Sequence, residues 1–410
     1  MEDKLYFTDK DRVIIFAPHP DDEILGCAGI IQECLDKKGR VYIVFFTNGD
    51  RNEIAFKLFK KKLILHPEDY VKLGELRSQE SLKANKVLNI PSENLIFLGY
   101  PDYGTLNIWT KYWNTDKPFR SSRTKTTYVP YPRNLSYSKP YIGESIIPDF
   151  VKIMKKIKPT KVFLTSPWDN NCDHKAMFNF CTAAFLETKE EFLPEIYLYL
   201  IHYKKWPEPK KFASHFTLEP PIKLKNNIWV SYYLISNQIN QKIKALSCFQ
   251  TELIGTKNFI FSFIRKNEIF EKMKIPLLQN GKFILMQNKN STLEILQGKE
   301  FISIKFIMKK RKIFRSRFNL EIYIFGFKEK ISFSSMPKIT LKVNHKKKLV
   351  VKNCNETILS HGIDCFYSRN DVILNIPKNL LGNPDYIFCG GKIKLRNLAF
   401  KLFIWQIYKL

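Results

Sequence analysis

The sequence predicts an α/β protein in which a doubly wound, mostly parallel sheet is followed by a β-sandwich-like domain. Short β-branched apolar runs alternate with helical patterns through the first two thirds of the chain, an order typical of βαβ units. After about residue 275 the apolar residues recur at every second position, as in antiparallel strands. A chain of 410 residues also exceeds what one hydrophobic core usually fills. We therefore expect two domains, at 1–275 and 276–410.

The first strands and the helix between them have the clearest patterns. Arg12–Ala17 is a short apolar run suited to a strand that is buried on both faces. Asp22–Lys37 has apolar residues at helical spacing, and Gly39 follows as a helix terminator. Val41–Thr47 is a second apolar run that ends in an Asn-Gly-Asp turn. This order predicts a βαβ unit near the start of the chain.

The rest of the first domain continues the alternation. Strands are predicted at Leu95–Leu98, Lys161–Thr165 and Ile196–His202, and helices at Leu73–Leu88, Ile146–Ile157, Lys175–Leu186 and Asn237–Lys274. Tyr103–Pro140 is aromatic and lacks periodicity, so we expect a functional lid there.

The C-terminal segment reads as an accessory β domain. Strands with two-residue alternation are predicted at Leu320–Phe327, Lys338–Asn344, Lys348–Lys352 and Asp371–Ile376. The strand and turn that begin at Asp371 and end at Gly382 are similar to those of carbohydrate-binding β-sandwich modules. A β domain of unspecified role is the alternative.

The formal net charge of +28 does not by itself identify a partner. Lysine and arginine are densest between Phe301 and Val350, with runs at Lys309–Lys312 and Lys346–Lys348. Such runs fit a solvated surface, a contact with a membrane surface or an anionic glycan, or nucleic acid. No helix-turn-helix, zinc-finger or RNP pattern accompanies them, which argues against nucleic acid. Bulk composition explains most of the charge.

Composition also restricts the compartment. The chain has eight Cys residues without a C-x-x-C pair, so we expect free thiols in a reducing environment. No apolar run reaches the ~18–20 residues of a membrane span. The polar, acidic N-terminal sequence is unlike a secretory signal. These features predict a cytoplasmic protein.

The strongest chemical signal lies between the first strand and the first helix. His19, Asp21 and Asp22 stand together in the sequence A-P-H-P-D-D-E, at the strand end where sites form in open α/β sheets. Adjacent carboxylates are unfavourable unless a cation neutralises them. His19 and Asp22 can supply a nitrogen and an oxygen ligand, which leaves Asp21 free to act on a bound water.

A third ligand is expected from another strand end. His174 follows the fourth predicted strand and completes a His/Asp/His set with open coordination positions, as catalytic zinc requires. The alternative is purely structural: Asp22 and Asp173 cap helices, and His19 is a hydrogen-bonded turn residue. The residues alone leave both interpretations open.

These motifs resemble a known family. The sequence A-P-H-P-D-D-E is followed by T-N-G-D, R-x-x-E, L-G-Y-P-D and a late D-H, and this series resembles the PIG-L/LmbE deacetylases from Lys4 to Glu252. The resemblance implies a Rossmann-like domain and zinc-dependent hydrolysis of N-acetyl groups on glucosamine-containing substrates. Carried over position by position, it implies His19, Asp22 and His174 as ligands of Zn²⁺ or another divalent metal, Asp21 as general base, Arg77 facing the site, and Asp102 holding sugar hydroxyls.

Two of these assignments have structural alternatives, and one motif departs from the family. Arg77 can instead form a helix ion pair with Glu80, and Asp102 can be a turn residue. The family motif H-x-D-H has Asn171 in place of its first His. An amide can contact an oxyanion but cannot donate a proton as an acid. Asp21 must then shuttle the proton to the leaving amine, or His202 must supply it.

Three functions follow as hypotheses. The first is a zinc-dependent hydrolase that removes the N-acetyl group from a glucosamine-containing sugar or glycolipid. The second is a non-catalytic glycan-binding protein with a relict metal site, which the Asn171 substitution favours. The third is a basic binder of nucleic acid or membrane surfaces, which rests on charge alone. The sugar, its carrier and the oligomeric state are not specified by the sequence.

Overall fold

A computed structural model describes residues 5–61, 63–114, 116–275, 277, 282–287, 291–308, 318–346, 348–354, 356–358, 362–368, 371–395 and 401–410. The chain forms two compact units. The first contains residues up to Trp109 and those from 115 to Met273, and the second contains Thr110–Asn114 and the chain from Lys274 onward. The predicted basic run Lys309–Lys312 lies outside the described residues.

The first unit is built on a seven-stranded sheet with the order β3-β2-β1-β4-β5-β7-β6. Its strands are β1 (Arg12–Ala17), β2 (Arg40–Thr47), β3 (Leu95–Tyr100), β4 (Lys161–Thr165), β5 (Glu195–Tyr199), β6 (Trp229–Tyr233) and β7 (Asn267–Lys272). Strands β1 to β5 pair with one another in parallel, whereas β7 pairs with β5 and with β6 in antiparallel. The parallel order 3-2-1-4-5 reverses between β1 and β4, which is the topological switch point of a doubly wound sheet.

Helices cover this sheet on both faces. They are α1 (Asp22–Asp36), α2 (Glu53–Lys60), α3 (Pro67–Val87), α4 (Thr105–Lys111), α5 (Gly143–Ile157), α6 (Cys172–Thr188), α7 (Ser236–Leu246) and α8 (Gln250–Phe261). On β1, Val13 and Ile15 join the core beneath α1, whereas Phe16 packs edge-on against Phe150 of α5 on the other face. Burial on both faces explains why β1 is continuously apolar.

The second unit consists of two antiparallel sheets. One has the order β15-β16-β10-β9-β8 and the other β14-β13-β12-β11-β17-β18. A single apolar cluster joins residues of both sheets, for example Ile304 and Leu374 with Ile322 and Leu341. The strands are β8 (Lys282–Gln287), β9 (Ser291–Gln297), β10 (Phe301–Met308), β11 (Phe318–Phe327), β12 (Lys338–Asn344), β13 (Leu349–Asn353), β14 (Glu356–Ile358), β15 (Asp364–Tyr367), β16 (Asp371–Pro377), β17 (Tyr386–Leu395) and β18 (Lys401–Lys409).

The predicted fold class is confirmed: a mostly parallel α/β sheet carries an appended pair of antiparallel sheets. None of the helices that the structure describes has the length and apolarity needed to cross a bilayer. The carbohydrate-binding role of the second unit stays a prediction.

One element prediction is wrong. The segment predicted as one helix over Asn237–Lys274 forms α7 and α8, ends its helical part at Phe261, and continues into strand β7 (Asn267–Lys272). Strand β7 is hard to recognise because Glu268 is buried there, and its partners lie on distant elements. The segment Tyr103–Pro140 contains α4, and Val129 and Tyr131 within it are buried. Its expected role as a lid stays a prediction.

Candidate active site

The candidate site lies at the carboxyl ends of β1 and β4, on either side of the switch point. His19 and Asp21 occupy the turn between β1 and α1, and Asp22 begins that helix. His174 lies in the first turn of α6, after β4. Because β1 and β4 are neighbours in the sheet, the turns that follow them meet at one edge. Sequence-distant residues are brought together in this way.

His19, Asp22 and His174 converge on one point. Asp22 Oδ2 lies 3.1 Å from His19 Nδ1 and 3.1 Å from His174 Nε2. One ligand atom from each of the three residues falls within 4.8 Å of the others, and all three residues are buried. Asp22 Oδ2 also accepts the backbone N–H of His19 at 3.0 Å, which fixes the carboxylate. A nitrogen, an oxygen and a second nitrogen therefore face one another at a buried position.

The donor set fits a divalent cation. Both ring nitrogens of His174 are buried and lack a well-directed hydrogen bond, although a carboxylate oxygen lies 3.1 Å from each. Burial by itself lowers the pKa of His174, but Asp169 and Asp22 raise it to about 9. The carboxylates therefore favour positive charge at this point. Two imidazoles and one carboxylate with open positions are a typical ligand set for catalytic zinc.

Asp169 orients His174, a role that the sequence motifs did not predict. Its Oδ2 lies 3.1 Å from His174 Nδ1 and accepts the backbone N–H groups of Ile201 and His202. Its Oδ1 accepts the N–H of Asn171 at 2.8 Å. A carboxylate on the outer nitrogen of a ligand histidine selects the tautomer that leaves the inner nitrogen free for a metal. Its position after β4, just before the Asn-Asn-Cys-Asp-His sequence, was the available signal.

Asp102 and Asp173 lie beside His19. Each has an oxygen 3.4 Å from His19 Nε2. Asp173 is fully buried and accepts the backbone N–H of Tyr103 at 2.7 Å and the hydroxyl of Thr105. The alternative that Asp173 caps α6 is wrong, since Asn171 is the cap and accepts the N–H of Asp173 at 2.8 Å. Asp102 Oδ2 also accepts the backbone N–H of Arg51 at 3.1 Å. Asp102 therefore has a tertiary contact in addition to its place in a turn.

Arg77 holds the general-base candidate Asp21. Its Nη2 lies 3.4 Å from Asp21 Oδ2 and donates to the carbonyl of Pro20 at 2.8 Å. Its Nη1 donates to the carbonyl of Gly49 and lies 3.2 Å from Glu252 Oε1. The alternative pairing with Glu80 is wrong, because Glu80 accepts instead from the backbone N–H and hydroxyl of Thr251. The Arg77 side chain is buried, with 4% of its surface exposed, and it lines the cavity.

Asp21 has a strained backbone and a perturbed carboxyl group. Its φ of 127° lies where L-residues are rare. Burial raises the pKa of Asp21 well above its ordinary value, and the neighbouring Asp22 and Glu252 add to this, against the opposing effect of Arg77. A carboxyl group with a raised pKa binds a proton more strongly than an exposed carboxylate does, which is the property a general base needs.

Asn171 and His202 face the same cavity from the β4 and β5 sides. The Oδ1 of Asn171 is engaged as the helix cap, which leaves its amide nitrogen as a donor. The His202 ring lies 4.9 Å from that of His174 and stacks on Phe259. Burial lowers the pKa of His202, with His174 adding to this against the effect of Asp169. The lowered pKa favours the uncharged form of the His202 imidazole.

The cavity above these groups has a volume of about 360 Å³ and one apolar wall. Predicted residues that line it are His19, Asp21, Asp22, Arg77, Asp102, Asn171 and His202. The lining residues that the sequence motifs did not predict are Leu25, Arg51, Asn52, Tyr103, Glu252, Thr256, Phe259 and Ile260. Arg51 and Asn52 follow the predicted Asn-Gly-Asp turn and had a sequence signal, whereas the α8 residues had none. His174 is not among the residues that line the cavity, but its Nε2 lies 3.1 Å from Oδ2 of Asp22, which does line it.

A family model matches the part of the chain that carries these residues up to α6. Residues 14–185 match the family described as PIG-L, GlcNAc-PI de-N-acetylase. A glucosamine-6-phosphate deaminase-like protein of Bacteroides thetaiotaomicron is 24% identical over 193 residues, which is 44% of this chain. The match spans 28% of that relative's length.

Three similar solved structures each cover nearly two thirds of this chain. The A40926 pseudoaglycone deacetylase matches with a TM-score of 0.41 and 14% identity, over 64% of this chain and 97% of that one. The N,N'-diacetylchitobiose deacetylase of Pyrococcus horikoshii matches with a TM-score of 0.39 and 18% identity, over 65% and 84%. The 4-carboxy-2-hydroxymuconate hydratase of Pseudomonas putida matches with a TM-score of 0.39 and 15% identity, over 63% and 83%.

The matched segment begins in β1 and ends in α6, so it contains both turns that build the site. The resemblance that the motifs predict is thereby confirmed over residues 14–185, which match the PIG-L family model.

Proposed function

We propose that this domain is a metal-dependent hydrolase that removes the acetyl group from an N-acetylated amino sugar or glycoconjugate. The observation that carries the proposal is the convergence of His19, Asp22 and His174 beside the perturbed carboxyl group of Asp21. The family match over residues 14–185 supports the reaction class.

His19, Asp22 and His174 would hold the metal, which we take to be Zn²⁺. When bound, such an ion supplies Lewis acidity to the acetamide carbonyl and to the attacking water. Asp169 keeps His174 in the orientation and tautomer needed for binding.

Asp21 takes a proton from the attacking water while the water oxygen forms a bond to the acetyl carbon. The carbon–nitrogen bond then breaks, and the same carboxyl group returns the proton to the leaving amine. Arg77 keeps the carboxylate in place through the 3.4 Å contact and is itself held by Glu252. This shuttle needs no second acid, which is consistent with an asparagine at position 171.

Two further residues have roles in the proposed mechanism. The amide nitrogen of Asn171 donates to the oxyanion that develops on the acetyl oxygen. Asp102, anchored by the N–H of Arg51, accepts hydrogen bonds from sugar hydroxyls. His202 is the second candidate for the proton donor, and a variant distinguishes it from Asp21.

The test is a fluorescent free-amine assay over N-acetylated sugars, nucleotide sugars and glycolipids, with zinc added or chelated. We expect amine release that requires zinc. Asp21→Asn should lower kcat by about 10²- to 10⁴-fold, as loss of a general base does. Asp36→Asn is the matched control, because Asp36 is exposed at the far end of α1. Full activity of the Asp21→Asn variant would contradict the mechanism.

His202→Gln tests the alternative donor. The shuttle predicts that this variant retains most of its activity, whereas a role in donating the proton predicts a loss as large as that of Asp21→Asn. Glycan binding without amine release from any substrate would instead favour the non-catalytic glycan-binding protein.

A further inference from the structure

One face of the six-stranded sheet in the second unit carries a group of lysines. The inward residues of this sheet, such as Ile322 of β11 and Leu341 of β12, belong to the apolar cluster of the unit. Successive side chains of a strand point to opposite faces, so their neighbours along each strand point outward. We use the name lysine face for Lys342 of β12, Lys352 of β13, Lys392 and Lys394 of β17, and Lys111 of the segment Thr110–Asn114, which belongs to the same unit.

The strand register places two of these lysines around one acid. Glu321 of β11 is the register partner of Lys342 on one side and of Lys392 on the other. The ammonium of Lys342 lies 3.5 Å from Glu321 Oε1, and that of Lys392 lies 3.1 Å from Oε2. The hydroxyl of Tyr323 also donates to Glu321 Oε1 at 2.7 Å. One carboxylate is thus shared between two ammonium groups.

Lys111 adds a further positive charge to this group. Burial lowers the pKa of Lys111. Glu321 opposes this effect, whereas three lysines of the face lower the pKa further: Lys392, Lys342 and Lys352. All four lysines are half-buried. Like charges at partly buried positions are unfavourable, and a bound anion removes their repulsion. The lysine face therefore has a local positive excess that a negatively charged ligand can neutralise.

The dimensions of the face indicate a ligand with several anionic groups. Strands β17, β11, β12 and β13 are consecutive in the sheet, and neighbouring strands lie about 4.8 Å apart. The strands of Lys392 and Lys352 are therefore separated by roughly 14 Å, which is three such spacings. Asn319 and Asn344 are register partners on the same outer face, and amide side chains can hydrogen-bond hydroxyl groups. Charge and amides together fit a polymer that carries both anions and hydroxyls.

A membrane surface and a nucleic acid fit this face less well. Binding to a bilayer surface uses exposed apolar side chains, but the exposed apolar residues on described strands of this unit, Ile284, Phe301 and Phe366, lie in the other sheet. Single-stranded nucleic acid is bound by stacking on aromatic rings. Two aromatic residues of this outer face, Tyr323 and Trp405, are buried and cannot stack on a base.

We propose that the lysine face binds an anionic polysaccharide, a glycan whose repeating units carry carboxylate or sulfate groups. Lysine ammonium groups contact the anions, and the side chains of Asn319 and Asn344 contact hydroxyls. The face belongs to the second unit, so the inference goes beyond the proposed function and does not depend on it. The strand and turn from Asp371 to Gly382, which carry the sequence similarity to carbohydrate-binding modules, are not part of this face.

The test measures binding of the full chain to fluorescently labelled oligosaccharides of equal length. The probes are a heparin oligosaccharide with sulfate and carboxylate groups, an oligogalacturonate with carboxylates alone, and a neutral dextran oligosaccharide. We expect at least one anionic probe to bind more tightly than dextran. Added NaCl should weaken that binding, because salt screens exposed charges. Equal affinity for dextran and both anionic probes would overturn the proposal.

A pair of matched double variants locates the binding. Lys342→Gln with Lys352→Gln leaves the contact between Lys392 and Glu321 intact and should weaken binding by roughly 3- to 30-fold. Lys299→Gln with Lys330→Gln removes the same charge from exposed positions elsewhere in the unit and should bind as the wild type does. An equal loss in both variants would mean that net charge alone attracts the glycan, and it would refute a site at the lysine face.

A variant of the acid tests the opposite direction. Glu321→Gln removes the negative charge from the lysine face and should tighten binding of the anionic probe. Glu300→Gln removes an exposed acid elsewhere in the unit and should leave the affinity unchanged. Urea unfolding checks that each variant is folded. A folded Glu321→Gln variant with no gain over Glu300→Gln would contradict the assignment.

Two further probes test the choice of partner. They are vesicles that contain phosphatidylglycerol and a DNA duplex, and both should bind more weakly than the preferred anionic oligosaccharide at the same NaCl concentration. Tighter binding of either one, lost in the Lys342→Gln and Lys352→Gln double variant, would assign the face to that partner and overturn the proposal. Amine release is not measured in any of these experiments, so their outcome is independent of the proposed deacetylation.

Discussion

Asp21 combines a chemical role with an unfavourable backbone. Its φ of 127° is a conformation that glycine adopts easily and other residues adopt at a free-energy cost of about 1–3 kcal/mol. The conformation is kept because the N–H of Asp21 donates to Glu23 Oε2 at 2.9 Å and its carbonyl accepts the N–H groups of Ile24 and Leu25. The strain thus lies at the proposed general base.

Replacing Asp21 by glycine should separate stability from activity. Asp21→Gly and Asp21→Ala both remove the carboxyl group, and both should be inactive. Only glycine relieves the strain, so Asp21→Gly should be more stable than Asp21→Ala by about 1–2 kcal/mol in the free energy of unfolding. Urea unfolding measures the difference. Equal stability of the two variants would mean that the backbone at this position is relaxed.

Asp169 acts through His174, and its replacement should affect metal binding directly. Asp169→Asn should weaken zinc affinity by about 10- to 100-fold, as loss of a carboxylate behind a ligand histidine does. Competition with a fluorescent zinc chelator measures this without any substrate. Asp149→Asn is the control, because Asp149 is also buried and hydrogen-bonded, to Tyr100 and Ser136. Equal losses in both variants would indicate a general structural effect.

Single residues differ in how far the sequence predicts them. His19, Asp21 and Asp22 are adjacent, so one strand-to-helix turn indicates their joint role. Asp169 and Glu252 act through contacts with residues far away in the chain. Glu252 has no local sequence signal and Asp169 has only its position after β4, so the role of each becomes recognisable only when its partners are known.

Among the elements, α1 is held by a buried ion pair that comes from outside it. Lys242 of α7 donates to the carbonyl of Leu25 at 2.8 Å and pairs with Glu268 of β7 at 2.7 Å. Glu268 in turn accepts the N–H of Gly29 at 2.9 Å. A β-carbon at Gly29 would lie 3.0 Å from Glu268 Oε2, so glycine permits this approach. The helix that carries Asp22 is thereby joined to α7 and β7.

Removing one partner of this pair should be costly. Lys242→Met leaves the buried carboxylate of Glu268 without its cation and should lower the free energy of unfolding by about 3–5 kcal/mol. The double variant with Glu268→Met should recover part of this loss, because neither charge then remains buried. Urea unfolding of the single and double variants checks the prediction. A double variant as unstable as Lys242→Met would show that packing, and not charge, explains the loss.

The same pair explains why β7 was predicted as helix. A charged residue in a buried strand breaks the apolar pattern by which strands are recognised, and Lys242 and α1 neutralise it only in the folded chain. By contrast, β1, β2 and β4 are short apolar runs buried by helices on both faces, so local composition was sufficient to predict them.

For the whole molecule, the proposed metal links the function to the stability of the first unit. A ligand that binds only the folded state stabilises it by about 2.7 kcal/mol at a concentration 100 times its dissociation constant. Added zinc should therefore raise the midpoint of a thermal unfolding transition, and a chelator should lower it. Scanning calorimetry measures both. His174→Ala should be insensitive to zinc, and an equal zinc response in this variant would place the metal elsewhere.

The net charge of +28 is also a property of the whole chain. The chemistry proposed here depends instead on carboxylates and histidines in a locally acidic cavity. A diffuse positive field raises the local concentration of anionic ligands without selecting among them.

The sequence by itself determined the fold class, the strand-to-helix turn that carries His19, Asp21 and Asp22, and the family resemblance, because each depends on residues that are close together in the chain. The tertiary structure alone decided that Arg77 pairs with Asp21 and Glu252, that Asp169 orients His174, and that β7 is a strand. These features depend on contacts between distant segments. Burial gives such contacts their strength, and burial exists only once the chain is folded.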